Sequence, residues 1–248
     1  EKAGNLFYQW TLDGVPITSA TGAQISTAGL QSGTYAVIVS NGFASRTSQS
    51  IQYAPIGTFA LVTGGTLPSA PFLSTAALET FYIGKTEVTW AEWQAVREWA
   101  VRNGYSDLAN VGASGGDYYP VSHVNWYDAV KWCNARSEKE GRTPVYQANG
   151  AVYRSGQLTP TEVALANGYR LPSEREWEFA ARGGTETQEY TYSGSNDLNL
   201  VGWYQGNLGA TAREVAKKKA NELGIFDMSG NLYEWTGSWH PKFEESDR

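Results

Sequence analysis

Asp227 and Glu234 stand seven positions apart, with Ser229-Gly230-Asn231 between them. Two carboxylates flanking a tight glycine turn suit a hard divalent cation. Calcium takes six to eight oxygens and mixes carboxylates with backbone carbonyls freed by a turn. Without an ion the same segment is a surface turn, and the metal reading is taken forward. A second charged group gathers around Trp177: Arg170, Glu174, Glu176 and Glu178. Carboxylates so placed could do general acid–base work. However, a Ser173–Glu176 capping box explains Glu176 by itself, and Arg170 can pair with a carboxylate at the helix start. The structural reading is preferred, so no catalytic residue and no cofactor-binding residue is assigned.

The single cysteine, Cys133, excludes an internal disulfide. It falls on the inner stripe of an expected helix, where a free cysteine is a small buried hydrophobe rather than a reactive thiol. Two histidines, His123 and His240, are too few for a multi-histidine metal site. The formal charge of −6 argues against a nucleic-acid or anionic-membrane binder, and the cationic run Lys217-Lys218-Lys219 reads as a solvated face. No apolar stretch approaches the ~20 residues of a membrane span, and no signal peptide is visible behind Glu1.

The elements that must position these groups are marked by their start and stop signals. Thr89 with Glu92 is a capping box opening a helix over 90–103, with Trp93, Val96 and Ala100 on one face. Asn125 with Asp128 opens 126–140, whose inner stripe is Ala129, Trp132 and Cys133. Ser173 with Glu176 opens 174–182, with Trp177, Ala180 and Ala181 facing inward before Gly183-Gly184. Gly-, Asn- and Tyr-rich segments between them indicate an irregular α+β domain. Ten tryptophans and fifteen tyrosines, most of them between Phe81 and Trp239, read as a large aromatic core rather than a carbohydrate-stacking surface.

Residues 1–53 are different. Leu6, Tyr8, Trp10 and Leu12 alternate with polar or small residues, and Asp13-Gly14 follows as a hairpin turn. Tyr35, Val37 and Val39 alternate again before Asn41-Gly42. QWTLDGVPI at 9–17 and SGTYAVIVSNG at 32–42 resemble two strands of bacterial immunoglobulin-like domains. In that fold a strand-C tryptophan packs in the core and a tyrosine corner precedes the second cysteine. Trp10 and Tyr35 would take those roles, and Val37 stands at the cysteine position. Loop punctuation around Pro55 sets the boundary, giving a partial immunoglobulin-like sandwich over 1–54 and a second domain over 55–248.

Four segments of that second domain carry a signature in order: FYIGKTEVTWAEW at 81–93, PVSHVNWYDAVKWCNA at 120–135, GYRLPSEREWEFAARGG at 168–184 and NELGIFDMSGNLYEW at 221–235. They resemble the formylglycine-generating enzymes, the sulfatase-modifying factor family. The resemblance implies a C-type-lectin-like fold, sparse in regular structure and stabilised by calcium. One family calcium would rest on the side chains of Asp227 and Glu234 and on the carbonyls of Gly230 and Leu232. The family's other calcium site is expected to be lost, because Gly202 falls at a ligand asparagine. Family oxidases convert a sulfatase cysteine to formylglycine with copper held by two C-terminal cysteines, and soft Cu(I) selects thiolates. The chain reaches Arg248 without that pair, so copper is not expected and the domain reads as C-terminally shortened. Thr236 and Ser238 stand where relatives often have a cysteine or an aspartate. The histidine cluster of the iron-dependent relatives cannot be made from His123 and His240. The reading is a non-catalytic recognition or scaffolding module of a secreted or extracytoplasmic multidomain bacterial protein with a protein or glycan ligand. The alternative is a fragment of a copper-dependent formylglycine-generating oxidase whose catalytic cysteines lie beyond Arg248.

Overall fold

The computed structural model describes residues 6–12, 14–25, 33–41, 44–48, 51–53, 58–66, 77–209 and 211–238. The chain divides into two units, Glu1–Thr58 and Phe59–Arg248.

In the first unit β1 (Phe7–Leu12), β2 (Val15–Pro16), β3 (Gly33–Ser40), β4 (Ser45–Thr47) and β5 (Ile51–Tyr53) form one antiparallel sheet. Its order is β2-β1-β3-β4, with β5 also on β3. Leu12 pairs with Val15 and Thr11 with Pro16; the expected turn at Asp13 falls outside the described residues. Thr11 is the buried residue of β1, its hydroxyl donating to Ala36 O at 3.2 Å. Tyr8, Trp10 and Leu12 stay half-buried and Leu6 is exposed, so the expected inner stripe is only partly covered. Among the described residues this unit holds a single sheet, and a period-two stripe needs a second layer to bury it. Tyr35 is buried as expected.

The second unit contains β6 (Phe59–Val62), β7 (Phe81–Gly84), α1 (Trp90–Arg102), α2 (Trp126–Lys139), β8 (Tyr146–Ala148), β9 (Ala151–Val152), β10 (Thr161–Glu162), α3 (Glu174–Ala181) and α4 (Leu198–Val201). All three sequence-read helices are present, and all three capping boxes close reciprocally. The strands form a β6-β7 pair and a short β10-β8-β9 sheet.

Two apolar clusters organise this unit. In the larger, α1 packs on α2 with Trp93 and Trp132 stacked, their ring centroids 5.5 Å apart. Each indole N–H is satisfied, Trp93 by Val111 O and Trp132 by Trp93 O. Cys133 is buried here, as its helical position predicts. Ala129 is only half-buried, and Val130, Lys131 and Asn134 are buried instead. Asn134 explains the shift, because its side chain bonds Tyr146 O, Tyr153 O and Tyr146 N and so clamps the β8-β9 hairpin to α2. A buried amide is stable only with such full satisfaction. Gly168 passes so close to α2 that a Cβ would lie 2.5 Å from Ser137 Oγ. The smaller cluster joins Ala60 and Val62 of β6 to Phe179, Ala180 and Ala181 of α3, with Ile225 and Met228. Phe179, rather than Trp177, is the buried aromatic of α3; Trp177 is half-buried at the cluster's edge.

Candidate functional site

The turn at 227–234 is held from three directions. Phe226 N–H donates to Lys85 O at 2.8 Å, tying the turn to the end of β7. Asp227 then adopts φ +61, a left-handed conformation that a short polar side chain tolerates. Gly230 has φ +111, and a Cβ there would lie 2.0 Å from Trp203 O. Only glycine fits this position. Asn231 (φ +65) donates its N–H to Trp203 O at 2.8 Å. Its amide accepts from Arg213 N and donates to Arg213 O and to Glu87 Oε2 at 2.6 Å.

Glu87 is the residue the sequence reading missed. It is buried, accepts from Asn231 and, at 3.0 Å, from Leu232 N–H, and so pins the turn across the sequence. It lies within the segment 81–93, but a lone glutamate in the bend between β7 and α1 carries no spacing signal toward a partner 144 positions away.

Three carboxylates therefore face one another electrostatically. Burial, then the charges of Glu234 and Asp227, push Glu87 up to about 8 against the opposing hydrogen bonds of Asn231 and Leu232. Burial and the nearby Asp227 push Glu234 up to about 7, opposed by the indole N–H of Trp177 at 3.2 Å. Glu234 is solvent-accessible as a residue, yet its carboxylate is crowded by protein, and the crowding governs its proton affinity. Burial also raises Asp227, although Ala216 N–H donates to its Oδ2 at 2.7 Å. The other oxygen, Asp227 Oδ1, is buried with no hydrogen-bond partner.

Of the four sequence-predicted ligands, Asp227, Gly230, Leu232 and Glu234, all lie in this one turn. Among the described residues no three His, Cys, Asp or Glu side chains converge as a ligand cage. A cation here would rest on Asp227 and Glu234 with turn carbonyls, while Glu87 is committed to Asn231 and Leu232. Gly202 abuts the same turn: a Cβ would sit 2.2 Å from Ser229 O, which leaves no room for an asparagine side chain.

The Arg170–Glu176 pair is bidentate, at 2.7 and 2.6 Å, with Glu176 also accepting from Ser173 N. Both carboxylate oxygens are thus used structurally. Ser238 Oγ accepts from Glu174 N–H at 3.0 Å, and Trp126 Nε1 donates to Thr236 O, so the 236–238 segment braces the starts of α3 and α2. The lysine run is not simply solvated. Lys218 donates to Asn199 O and lies 4.0 Å from the Trp203 ring centroid, and Lys219 donates to Gly194 O. His240 lies outside the described residues.

The family model of the "Sulfatase-modifying factor enzyme 1-like domain" matches residues 23–246. The chain belongs to this family. The match begins inside the first unit, upstream of the boundary read near Pro55. The chain is 40% identical over 190 residues to the "Chaperone protein LppX" of Paenibacillus barcinonensis, covering 66% of this chain and 64% of that protein. It is 30% identical over 140 residues to the "Inactive C-alpha-formylglycine-generating enzyme 2" of Bos taurus, covering 52% of this chain and 36% of that one. The chain thus spans less than two thirds of the length of either relative. Among solved structures, that of CarF matches with a TM-score of 0.65 and 30% identity, covering 75% of this chain and 82% of that one. No helix among the described residues is long and apolar enough to cross a membrane.

Proposed function

We propose that this sulfatase-modifying-factor domain is a non-catalytic recognition or scaffolding module, stabilised by a calcium ion in the 227–234 turn. The observation that carries the first part is the state of Cys133. The only thiol of the sequence is buried in α2, and burial pushes it up to about 12. Such a thiol is inert, whereas Cu(I) chemistry needs exposed thiolates. The residues present therefore do not fit copper. The names of two relatives, one a chaperone and one an inactive enzyme, support the same reading.

Calcium fits better. Asp227 Oδ1 is a buried oxygen without a partner, and Glu234 is a crowded carboxylate beside it in charge. A divalent ion would neutralise both and fix the turn, with the carbonyls of Gly230 and Leu232 adding to the oxygen set and water supplying the remainder. The first unit is read as part of an immunoglobulin-like domain. Its β2-β1-β3-β4 order is that expected of a C′-C-F-G sheet. Such a neighbour supports an extracytoplasmic, multidomain setting with a protein or glycan ligand.

The test is to incubate the chain with copper, oxygen and a sulfatase-derived cysteine peptide. The peptide mass stays unchanged. Formylglycine above a no-protein control would overturn the module reading and force a role onto Cys133.

A further inference from the structure

A cavity of about 150 Å³ opens at the C-terminal end of α3, walled by Trp177, Tyr190 and Tyr192, with Glu178, Arg182 and Glu222 among its polar groups. The turn beneath it is set by Asn221, whose side chain donates to Ala180 O at 2.8 Å and Ala181 O at 3.4 Å and so caps the last carbonyls of the helix. That places the next residue, Glu222, at the negative end of the helix dipole, where cations are favoured and anions are not. Its Oε2 is buried and has no hydrogen-bond partner. Gly183, at φ +87, makes room for it: a Cβ there would come within 2.6 Å of that oxygen.

The cations nearby are already committed. Arg182 pairs with Glu178 within the last turn of the helix. Lys219 donates to Gly194 O and sits 5.9 Å from the Tyr190 ring centroid. Tyr190 and Tyr192 are 39% and 37% exposed, so their rings border the cavity without closing it. An unpartnered acceptor, a helix C-terminus and aromatic rings all select the same guest, a positive group that donates hydrogen bonds and lies against π faces.

We propose that this cavity binds an organic cation, an alkylammonium or guanidinium group, supplied either by a free amine or by a lysine or arginine side chain of a polypeptide. The volume suits the end of one such chain rather than a large ligand. The inference goes beyond the module reading and does not rest on it, because a binding titration and the peptide-oxidation assay fail separately.

The experiment is calorimetric titration of the full chain, at fixed calcium, with butylammonium, with agmatine and with the blocked tripeptides Gly-Lys-Gly and Gly-Arg-Gly. At least one cation binds saturably. Preference for the tripeptides identifies a polypeptide source, and preference for the free compounds identifies a small amine. Glu222→Gln keeps the shape and loses about tenfold in affinity, the worth of a charge-assisted bond. Its melting temperature in the absence of cation equals or exceeds that of the parent, since the variant removes a half-buried carboxylate whose Oε2 has no partner. Tyr192→Ala weakens binding by about threefold, the scale of a partly exposed cation–π contact. Absence of saturable binding to all four probes overturns the proposal. So does undiminished affinity in Glu222→Gln.

Discussion

The second unit treats its acids in two opposite ways. Along α2 and α3 several acids are matched by a cation of the fold: Asp107 by the buried Lys131 at 2.8 Å, Glu138 by Arg154, and Glu176 by Arg170. The hydrogen bond from Lys131 holds Asp107 below the usual carboxylate range against some burial. Around the 227–234 turn, Glu87 and Asp227 are buried and Glu234 is crowded by protein, and Glu87 and Glu234 are pushed up to about 8 and about 7. None of these three makes a salt bridge among the described residues. Acids paired within the fold report on folding. Acids gathered without a cation meet the cost of burial by holding their protons more tightly, so that Glu87 stays largely protonated at neutral pH.

The sharpest way to break this contrast is to ask which side is core. Trp132 is 4% exposed and stacked on Trp93, whereas Trp177 is half-buried with its indole aimed at Glu234. Trp132→Ala should cost ~3–5 kcal/mol in urea unfolding, and Trp177→Ala less than half of that. Equal losses would make the Trp177 region core rather than site.

Calcium comes next in size. A ligand that binds only the folded state stabilises by about 2.7 kcal/mol at a hundredfold excess over Kd. Millimolar calcium should therefore raise the melting temperature by several degrees, and a chelator should reverse it. Asp227→Ala and Glu234→Ala should lose the response while Glu178→Ala keeps it, and magnesium should substitute poorly, since it demands a tighter octahedral shell. Melting curves indifferent to calcium and chelator would return the turn to a purely structural role.

How far the sequence reached follows the same division. The helices were legible because their signals are local: each capping box spans four positions, and Arg170 lies six from Glu176. The 227–234 turn was legible because Gly230 punctuates it. Glu87 was not, since its partners lie across the chain. Trp177 was misread for a related reason. Helical phase placed it toward the interior, but the group it meets there is the polar carboxylate of Glu234, and so the indole sits at the edge. The stripe of Leu6, Tyr8, Trp10 and Leu12 marked a strand but not its inner face: Thr11 is the buried residue of β1 and Gln9 is as covered as Tyr8 and Trp10, because burial depends on a covering layer that local pattern does not specify.

The smallest effect concerns the paired side, and its sign is what matters. Burial alone would raise Glu176 from its ordinary 4.5, but the hydrogen bonds from Arg170 and from Ser173 outweigh burial and hold it lower. A carboxylate with a depressed folded pKa contributes stability that is present above the unfolded value and is lost as pH falls through the folded one. Arg170→Met should therefore cost ~1–2 kcal/mol at neutral pH, a figure reduced for solvent screening because the Arg170 side chain is 37% exposed. The gap between parent and variant should stay level down to about pH 5 and close progressively below that, as the carboxyl takes up its proton and the ion pair is lost in the parent too. The check is urea unfolding of both proteins from pH 7 to pH 3. A gap that stayed constant throughout would mean that Arg170 acts by packing rather than by charge, and the paired half of the comparison would lose its electrostatic basis.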